Sequence, residues 1–314
     1  MGTPSSVYYV EIAKMIQGDY MKAFVIKAVS AYGWLLSKTV SFIGSYWPLG
    51  AILIKDNLLQ AETFKTIRHV STSQKVIELK ISIPNSINLY RATTFSAKEP
   101  ETLNWIDEFG GKEAVFFDVG ANVGLYSLYY AKQYCEKVYA FECSIFNLKI
   151  LGINAYTNGL SDLITIIPMP LTNQILHSCF NLSTVVEGGA LSTFGEEFGH
   201  DGQPLDVNFR YKTIGVPLDL LFTSGIVQDQ PSLLKIDVDG IEHLILSGAI
   251  RVLKNPKLKS VLVEVDDNFD KLSTQVSEIL ISSGFSFREK QHSAMFDGGD
   301  FSQSYNQIWI RRNE

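Results

Sequence analysis

Two short runs hold the residues of this chain with most chemical promise. The first is Val115-Phe-Phe-Asp118-Val-Gly120-Ala-Asn122-Val-Gly124-Leu-Tyr126-Ser127, followed by the acid Glu142, 22 positions beyond Gly120. The second is Lys235-Ile-Asp237-Val-Asp239-Gly240-Ile-Glu242-His243, with Glu264 beyond it. In the first run an apolar strand pattern ends at Asp118, two glycines punctuate a turn, and a helical pattern follows at once. Glycine lets a backbone approach a ligand closely, and a helix N-terminus supplies oriented N–H donors. An acid at the tip of the next strand can accept two hydrogen bonds from a ribose diol. Asp118, Gly120, Asn122, Gly124 and Glu142 therefore read as an adenosine-type cofactor site. A structural turn beside a solvated acid is the weaker alternative, because both features close consecutive apolar strands.

The loop also narrows the cofactor. A dinucleotide site needs GxGxxG, whose later glycines admit a pyrophosphate. Here Asn122 replaces the second glycine and Gly124 is out of register. That loop suits a phosphate-free adenosyl ligand, S-adenosylmethionine, whose positive charges favour a nearby carboxylate such as Asp118.

The second run places three acids and a histidine at the carboxyl end of a later strand. Methyl transfer is an in-line displacement, so an enzyme chiefly aligns donor and acceptor. An alcohol acceptor is helped by a carboxylate or histidine that takes its proton, or by a divalent ion held by Asp237, Asp239 or Glu264. Asp237, Asp239, Glu242 and Glu264 are the catalytic candidates. Structural roles compete: Asp237 could cap a helix starting near Gly240, Glu242 could pair with Lys235, and His243 reads as an ordinary helix residue. Asp237-Val-Asp239 also has the form of a DxD metal site, as in a glycosyltransferase, but that reading leaves the glycine loop and Glu142 unexplained. A third reading is an inert scaffold in glycan assembly.

What must position these residues is an alternating β/α pattern. Nearly continuous apolar runs predict strands at Ala114–Val119, Lys137–Glu142, Leu163–Pro168, Ser232–Asp237 and Ser260–Val265, the signature of a sheet buried on both faces. Helical patterns fill Leu125–Gln133, Ile145–Thr157, Ile241–Leu253 and Lys271–Ser283 between them, which implies parallel strands with right-handed crossovers. Two closing strands, Phe285–Lys290 and Gln307–Arg311, lack a helix between them and predict an antiparallel edge. The fold class is thus α/β, a doubly wound, mostly parallel seven-stranded sheet. Ahead of it, residues 7 to about 70 read as helices with a break at Ser45–Pro48. Lys75–Pro84 and Ile87–Ala92 read as a β-hairpin around Pro84-Asn85-Ser86. The glycine-rich stretch 171–218 reads as a long loop or lid, from which His200 and Asp201 could enter a site. The expected division is a helical extension over 1–74 and a catalytic domain over 75–314.

The motifs Phe117–Ser127, Tyr139-Ala-Phe-Glu142 and Leu234–Glu242 resemble the FkbM-type methyltransferases, over a stretch from about Glu99 to the final strand. Asn147, Asn154 and Asn158-Gly159 fit that pattern too, whereas Cys143 stands where the family usually has proline and Asp239 where it usually has glutamate. The resemblance implies a class I S-adenosylmethionine-dependent fold and O-methylation of hydroxyls on sugars or polyketides. It implies that Asp118, Gly120, Asn122 and Gly124 line the methionine end, Glu142 the ribose, and Met169–Thr172 the adenine. Thr172 thereby joins the cofactor candidates.

Composition bounds the partners. A net charge of −6, with no basic cluster beyond Arg311-Arg312, disfavours nucleic acid. Three cysteines without CxxC spacing and five scattered histidines show no metal motif and fit a reducing compartment, the cytoplasm. The start Met1-Gly2-Thr3-Pro4-Ser5-Ser6 formally fits a myristoylation pattern. The uncharged stretch Thr39–Ile54 is too short to span a bilayer. Residues 23–54 are apolar and aromatic, and read as helices packed on the domain or on a second copy, or as a shallow membrane contact. The remaining partner expected is a small-molecule or glycan acceptor.

Overall fold

A computed structural model describes residues 20–59, 63–299 and 301–312. The chain divides into two compact units. One runs to Phe64 and includes Ser82–Tyr90; the other comprises Lys65–Ile81 and Arg91–Glu314.

In the first unit, helix α1 (Tyr20–Tyr46) is followed by α2 (Pro48–Leu59). The break at Trp47 is where the sequence places it. Proline has no N–H to donate and disfavours helical backbone in the residue before it, yet suits the first turn of a new helix. Residues 7–19 of the expected helical stretch lie outside the described residues.

The second unit is built on a seven-stranded sheet. Its strands are β3 (Phe116–Val119), β4 (Val138–Phe141), β5 (Ile164–Ile167), β9 (Leu233–Ile236), β10 (Ser260–Asp266), β11 (Phe285–Gln291) and β12 (Ser304–Arg311). The order across the sheet is β11-β12-β10-β9-β3-β4-β5. Strands β10, β9, β3, β4 and β5 pair in parallel, while β12 runs antiparallel between β10 and β11. This is the doubly wound sheet the sequence predicts, and the class I arrangement that the family resemblance implies. The chain winds outward through β3, β4 and β5, then returns to the centre at β9. Between β3 and β9 the winding reverses, which in such sheets opens a crevice at the carboxyl ends of the strands. Both sequence runs end there.

Helices cover both faces. On one side Phe117, Val119, Leu234, Ile236 and Val263 pack with α8 (Glu242–Ser247), α9 (Ile250–Leu253) and α10 (Asp270–Ser282). On the other, Trp105 of α4 (Pro100–Phe109) and Tyr130 of α5 (Leu125–Tyr134) meet Phe116, at ring centroid distances of 6.1 and 5.1 Å. Each such fully buried aromatic contributes roughly 2–3 kcal/mol.

Four expectations are corrected. Ile87–Ala92 is not a strand but part of helix α3 (Ser86–Lys98). Asn85 Oδ1 accepts the Asn88 N–H at 3.0 Å and so satisfies a donor of the first turn. The partner of β2 (Val76–Ser82) is instead β1 (Phe64–Val70), which the sequence suggested was helical; the turn between them is closed by the Ser71 hydroxyl on the Lys75 N–H at 3.1 Å. Stretch 171–218 is no open loop: β6 (Leu176–Leu182), β7 (Ser192–Phe194) and β8 (Phe209–Gly215) form an antiparallel sheet in the order β7-β6-β8. Finally, the helix expected over Ile241–Leu253 splits at Gly248. There a Cβ would come within 2.1 Å of the Thr172 carbonyl oxygen.

Candidate active site

The glycine turn after β3 is shaped by close packing between strand tips. Gly120 has φ +83°, and a Cβ on it would lie 1.8 Å from the Asp237 carbonyl oxygen at the end of β9. Gly124 has φ +85°, and its Cβ would lie 2.3 Å from Leu151 of α6 (Ile145–Thr157). Only glycine fits both the space and the left-handed backbone. Between them Asn122, at φ +51°, donates its N–H to Glu142 Oε2 at 2.8 Å, and the Ser144 N–H reaches Glu142 Oε1 at 2.6 Å. Burial pushes the Glu142 carboxyl up to about 7, against the pull of those two N–H donors. Asp118 lies one strand inward, fully buried. Its Oδ2 accepts the Ser127 hydroxyl at 2.6 Å, its Oδ1 has no partner, and burial raises its pKa.

A second cluster adjoins the first through sheet register, because Asp118 of β3 stands beside Lys235 of β9. Lys235, 1% exposed, donates to Asp237 Oδ2 at 2.6 Å and lies 5.2 Å from the Tyr126 ring centroid. The Tyr126 hydroxyl donates to Glu99 Oε2 at 2.8 Å, and Lys98 donates to the other Glu99 oxygen. Glu264, near the end of β10, lies close enough to Asp237 to share a hydrogen bond with it. Burial disfavours charge on every member. In Asp237 it is overcome, mainly by Lys235 and then by the Glu264 hydrogen bond, and the carboxyl is held far below its ordinary range. In Glu264 burial and the charge of Asp237 act together, so its carboxyl stays well above. These opposite shifts favour the ionised form of Asp237 and the protonated form of Glu264, so that the hydrogen bond between them runs from Glu264 to Asp237.

The four acids predicted for catalysis therefore divide. Asp237 and Glu264 come together in this cluster. Asp239, at φ +61°, turns away and accepts the Ser192 N–H at 3.0 Å; burial, opposed by that N–H, raises its pKa. Glu242 folds back on its own turn, where Oε1 accepts the N–H groups of Gly240 at 3.1 Å and Val238 at 3.3 Å, and burial pushes it up to about 7. Asp237 caps no helix: α8 begins at Glu242 with Ile241 ahead of it and no side-chain cap. Lys235 pairs with Asp237 rather than Glu242. Thr172, after β5, donates its N–H to Val216 at 3.0 Å, with its carbonyl against Gly248. His200 stacks on Phe301 at 4.9 Å, and its Nε2 is 3.9 Å from Asp266, too far for a hydrogen bond.

What closes the site belongs to stretch 171–218, which the sequence reads as a loop or lid, although the residues that hold it there were not foreseen. The β6–β7 loop lies across the strand tips, held by side chains of the predicted motifs. Asn122 Nδ2 donates to the Gly189 carbonyl at 2.8 Å, and Asn147 brackets the same loop, accepting the Gly188 N–H at 2.8 Å and donating to Gly189 at 3.2 Å. Arg91 Nε adds a bond to the Gly188 carbonyl at 2.7 Å. A narrow cleft remains beneath, lined by Ser144, Asn147, Thr184, Gly189 and Ser192 among others. The missed members Lys98, Glu99 and Arg91 had no signal beyond the stretch near Glu99 marked by the family resemblance.

The residues present fit an adenosyl-sulfonium cofactor in chemical kind. Glu142 keeps lone pairs for hydroxyl donors beyond its two N–H partners, and the buried, unpartnered Asp118 Oδ1 suits a cationic group.

Known families and solved structures include proteins similar to this chain. The family model of the methyltransferase FkbM domain matches residues 118–287. Among solved structures the chain is similar to methyltransferase FkbM from Methylobacillus flagellatus KT, at 14% identity and a TM-score of 0.45, covering 71% of this chain and 52% of that one. It thus spans about half the length of that relative. It is also similar to precorrin-6y C5,15-methyltransferase from Geobacter metallireducens GS-15 (12% identity, TM-score 0.38, covering 64% and 80%). A third is a putative rRNA methylase from Clostridium thermocellum (11%, 0.40, covering 68% and 96%). No curated protein sequence matches the chain.

Proposed function

The chain belongs to the family of FkbM methyltransferase domains, and on that premise we propose that it transfers the methyl group of S-adenosylmethionine to a hydroxyl of a sugar, glycan or related natural product. The observation that carries this reading is the adjacency of two acidic centres on neighbouring strand tips. Glu142 and Asp118 surround the glycine turn, and Asp237, whose carbonyl lies against Gly120, follows directly on the tip of β9. When bound, the cofactor supplies an electrophilic methyl group on a sulfonium centre. Glu142 would accept hydrogen bonds from the ribose, and Asp118 would face the positive end. Asp237 is the group suited to accept a hydrogen bond from the acceptor hydroxyl and then its proton. Lys235 and Glu264 hold Asp237 ionised and in place. Asp239 and Glu242 shape the turn that carries Asp237. The sugar-like acceptor rests on the family resemblance and on the need of an alcohol for such a proton acceptor.

Calorimetry tests the reading. S-adenosylhomocysteine should bind, and a nucleotide sugar with manganese should not. Glu142→Ala should weaken binding by at least about tenfold, the loss of a charge-assisted hydrogen bond. With Glu142 pushed up to about 7, affinity should fall as pH drops from 8 to 6, since the carboxylate accepts more strongly than the acid. Unchanged affinity in the variant would defeat the assignment.

A further inference from the structure

We propose that the hairpin of α1 and α2 seats in the interface of an anionic lipid bilayer without crossing it. Its packing is the reverse of what water favours. Where the helices meet, two small residues face each other, a Cβ on Gly44 lying 3.3 Å from that of Ala51, and at the turn Gly50 is covered by the Trp47 ring. Large apolar residues point outward instead. Trp34 is 64% exposed, Phe42 66% and Leu49 59%, and Leu35, Ile52 and Leu53 are at least half exposed. A helical hairpin stable in water turns its large apolar stripe inward. Helices that meet within lipid do so through small residues.

The polar groups agree. Thr39 donates its hydroxyl to the Leu35 carbonyl at 2.9 Å and Ser45 to Ser41 at 3.1 Å, so both are satisfied within the helix and need no water. From Lys27 to Lys55 the sequence has three lysines and no acid, a segment of charge +3 in a chain of −6. That charge complements an anionic leaflet. Lys27 and Lys38 lie three helical turns apart, on the same side of α1. Lys38 Nζ stands 5.8 Å from the Trp34 ring, and lysine with tryptophan is the pairing found at the level of lipid headgroups. None of the described helices is long and apolar enough to cross a membrane. The hairpin therefore lies within one leaflet's interface.

The test uses the full chain with vesicles of phosphatidylcholine alone or mixed with phosphatidylserine. Trp105 and Trp309 are sealed in the core, so a vesicle-induced blue shift of tryptophan fluorescence reports on Trp34 and Trp47. Flotation with the phosphatidylserine vesicles and a blue shift are expected. The triple variant Lys27→Gln/Lys38→Gln/Lys55→Gln should weaken that binding at least about tenfold. Leu35→Glu/Phe42→Glu/Leu53→Glu should abolish it with an unchanged circular dichroism melt, since these side chains touch water in the free protein. No flotation and no blue shift with either vesicle would overturn the proposal. So would a lipid-free dimer that does not float and that the glutamate variant dissolves, which would assign the face to a second copy.

Discussion

Lys235 sits in the middle of a central strand, where an ammonium group loses several kcal/mol of hydration unless paired. Asp237 supplies the pairing, and Glu264 supplies a proton to Asp237 rather than a second charge. The two acids should therefore respond differently to amidation. Asp237→Asn strips the charge that Lys235 requires and should cost about 3–5 kcal/mol of stability. Glu264→Gln keeps a donor where the protonated acid has one and should cost less than about 1 kcal/mol. Urea midpoints of the two variants measure the difference; equal losses would mean that the proton is not on Glu264. Much of this cluster was legible as residues and little of it as a cluster. Asp237 and Glu264 end apolar strands, which marks them. Lys98 and Glu99 sit at a helix junction, where charged residues are ordinarily solvated, and more than a hundred positions separate them from Lys235. Only the register that sets Asp118 beside Lys235, with Tyr126 above, makes them neighbours.

Among the elements, the β6–β7 loop is the one that the predicted motifs hold. Asn147 both accepts from Gly188 and donates to Gly189, so a single side chain clamps two successive peptide groups. Asn147→Ala should raise hydrogen exchange at the Gly188 amide by about tenfold, the loss of one or two net hydrogen bonds. Amides of β9 should be unaffected, which mass spectrometry of the two peptides would check. If Gly188 exchanges at its parental rate, the loop is held by something other than the asparagine. The strands of this region escaped the sequence because their outer faces are polar and their turns rich in glycine, so the apolar alternation is diluted. The parallel strands were readable for the opposite reason: buried on both faces, they carry unbroken apolar runs. The misplaced hairpin arm reflects a third cause. Ile87–Ala92 has apolar residues compatible with either period, and the helix is decided by Asn85 closing its first turn.

Across the whole molecule, buried carboxyls of opposite tendency set how stability should vary with pH. Burial pushes Glu142 and Glu242 each up to about 7, from an ordinary value of 4.5. Between those pH values the folded chain holds protons that the unfolded chain has released, so raising the pH favours unfolding. The stability these two acids contribute is complete below about pH 4.5 and is lost as pH rises to about 7. For a fully buried group the change is on the order of 3 kcal/mol. Asp237 acts with the reverse sign. Burial opposes its charge, Lys235 overcomes that, and its carboxyl lies below the ordinary 3.8, so its contribution is present above that pH and lost on acidification. Opposed slopes place the stability maximum on the acid side of neutrality, at roughly pH 4 to 6. The thermal midpoint of the ligand-free protein should accordingly be higher at pH 5.5 than at pH 8. In Glu142→Gln/Glu242→Gln, where these two acids no longer titrate, the difference should shrink but persist, because Asp118, Asp239 and above all Glu264 also hold their protons more tightly in the folded chain. A parental midpoint that climbs between pH 5.5 and 8 would show that water reaches these carboxyls, and with it that the β6–β7 loop leaves the strand tips open in solution.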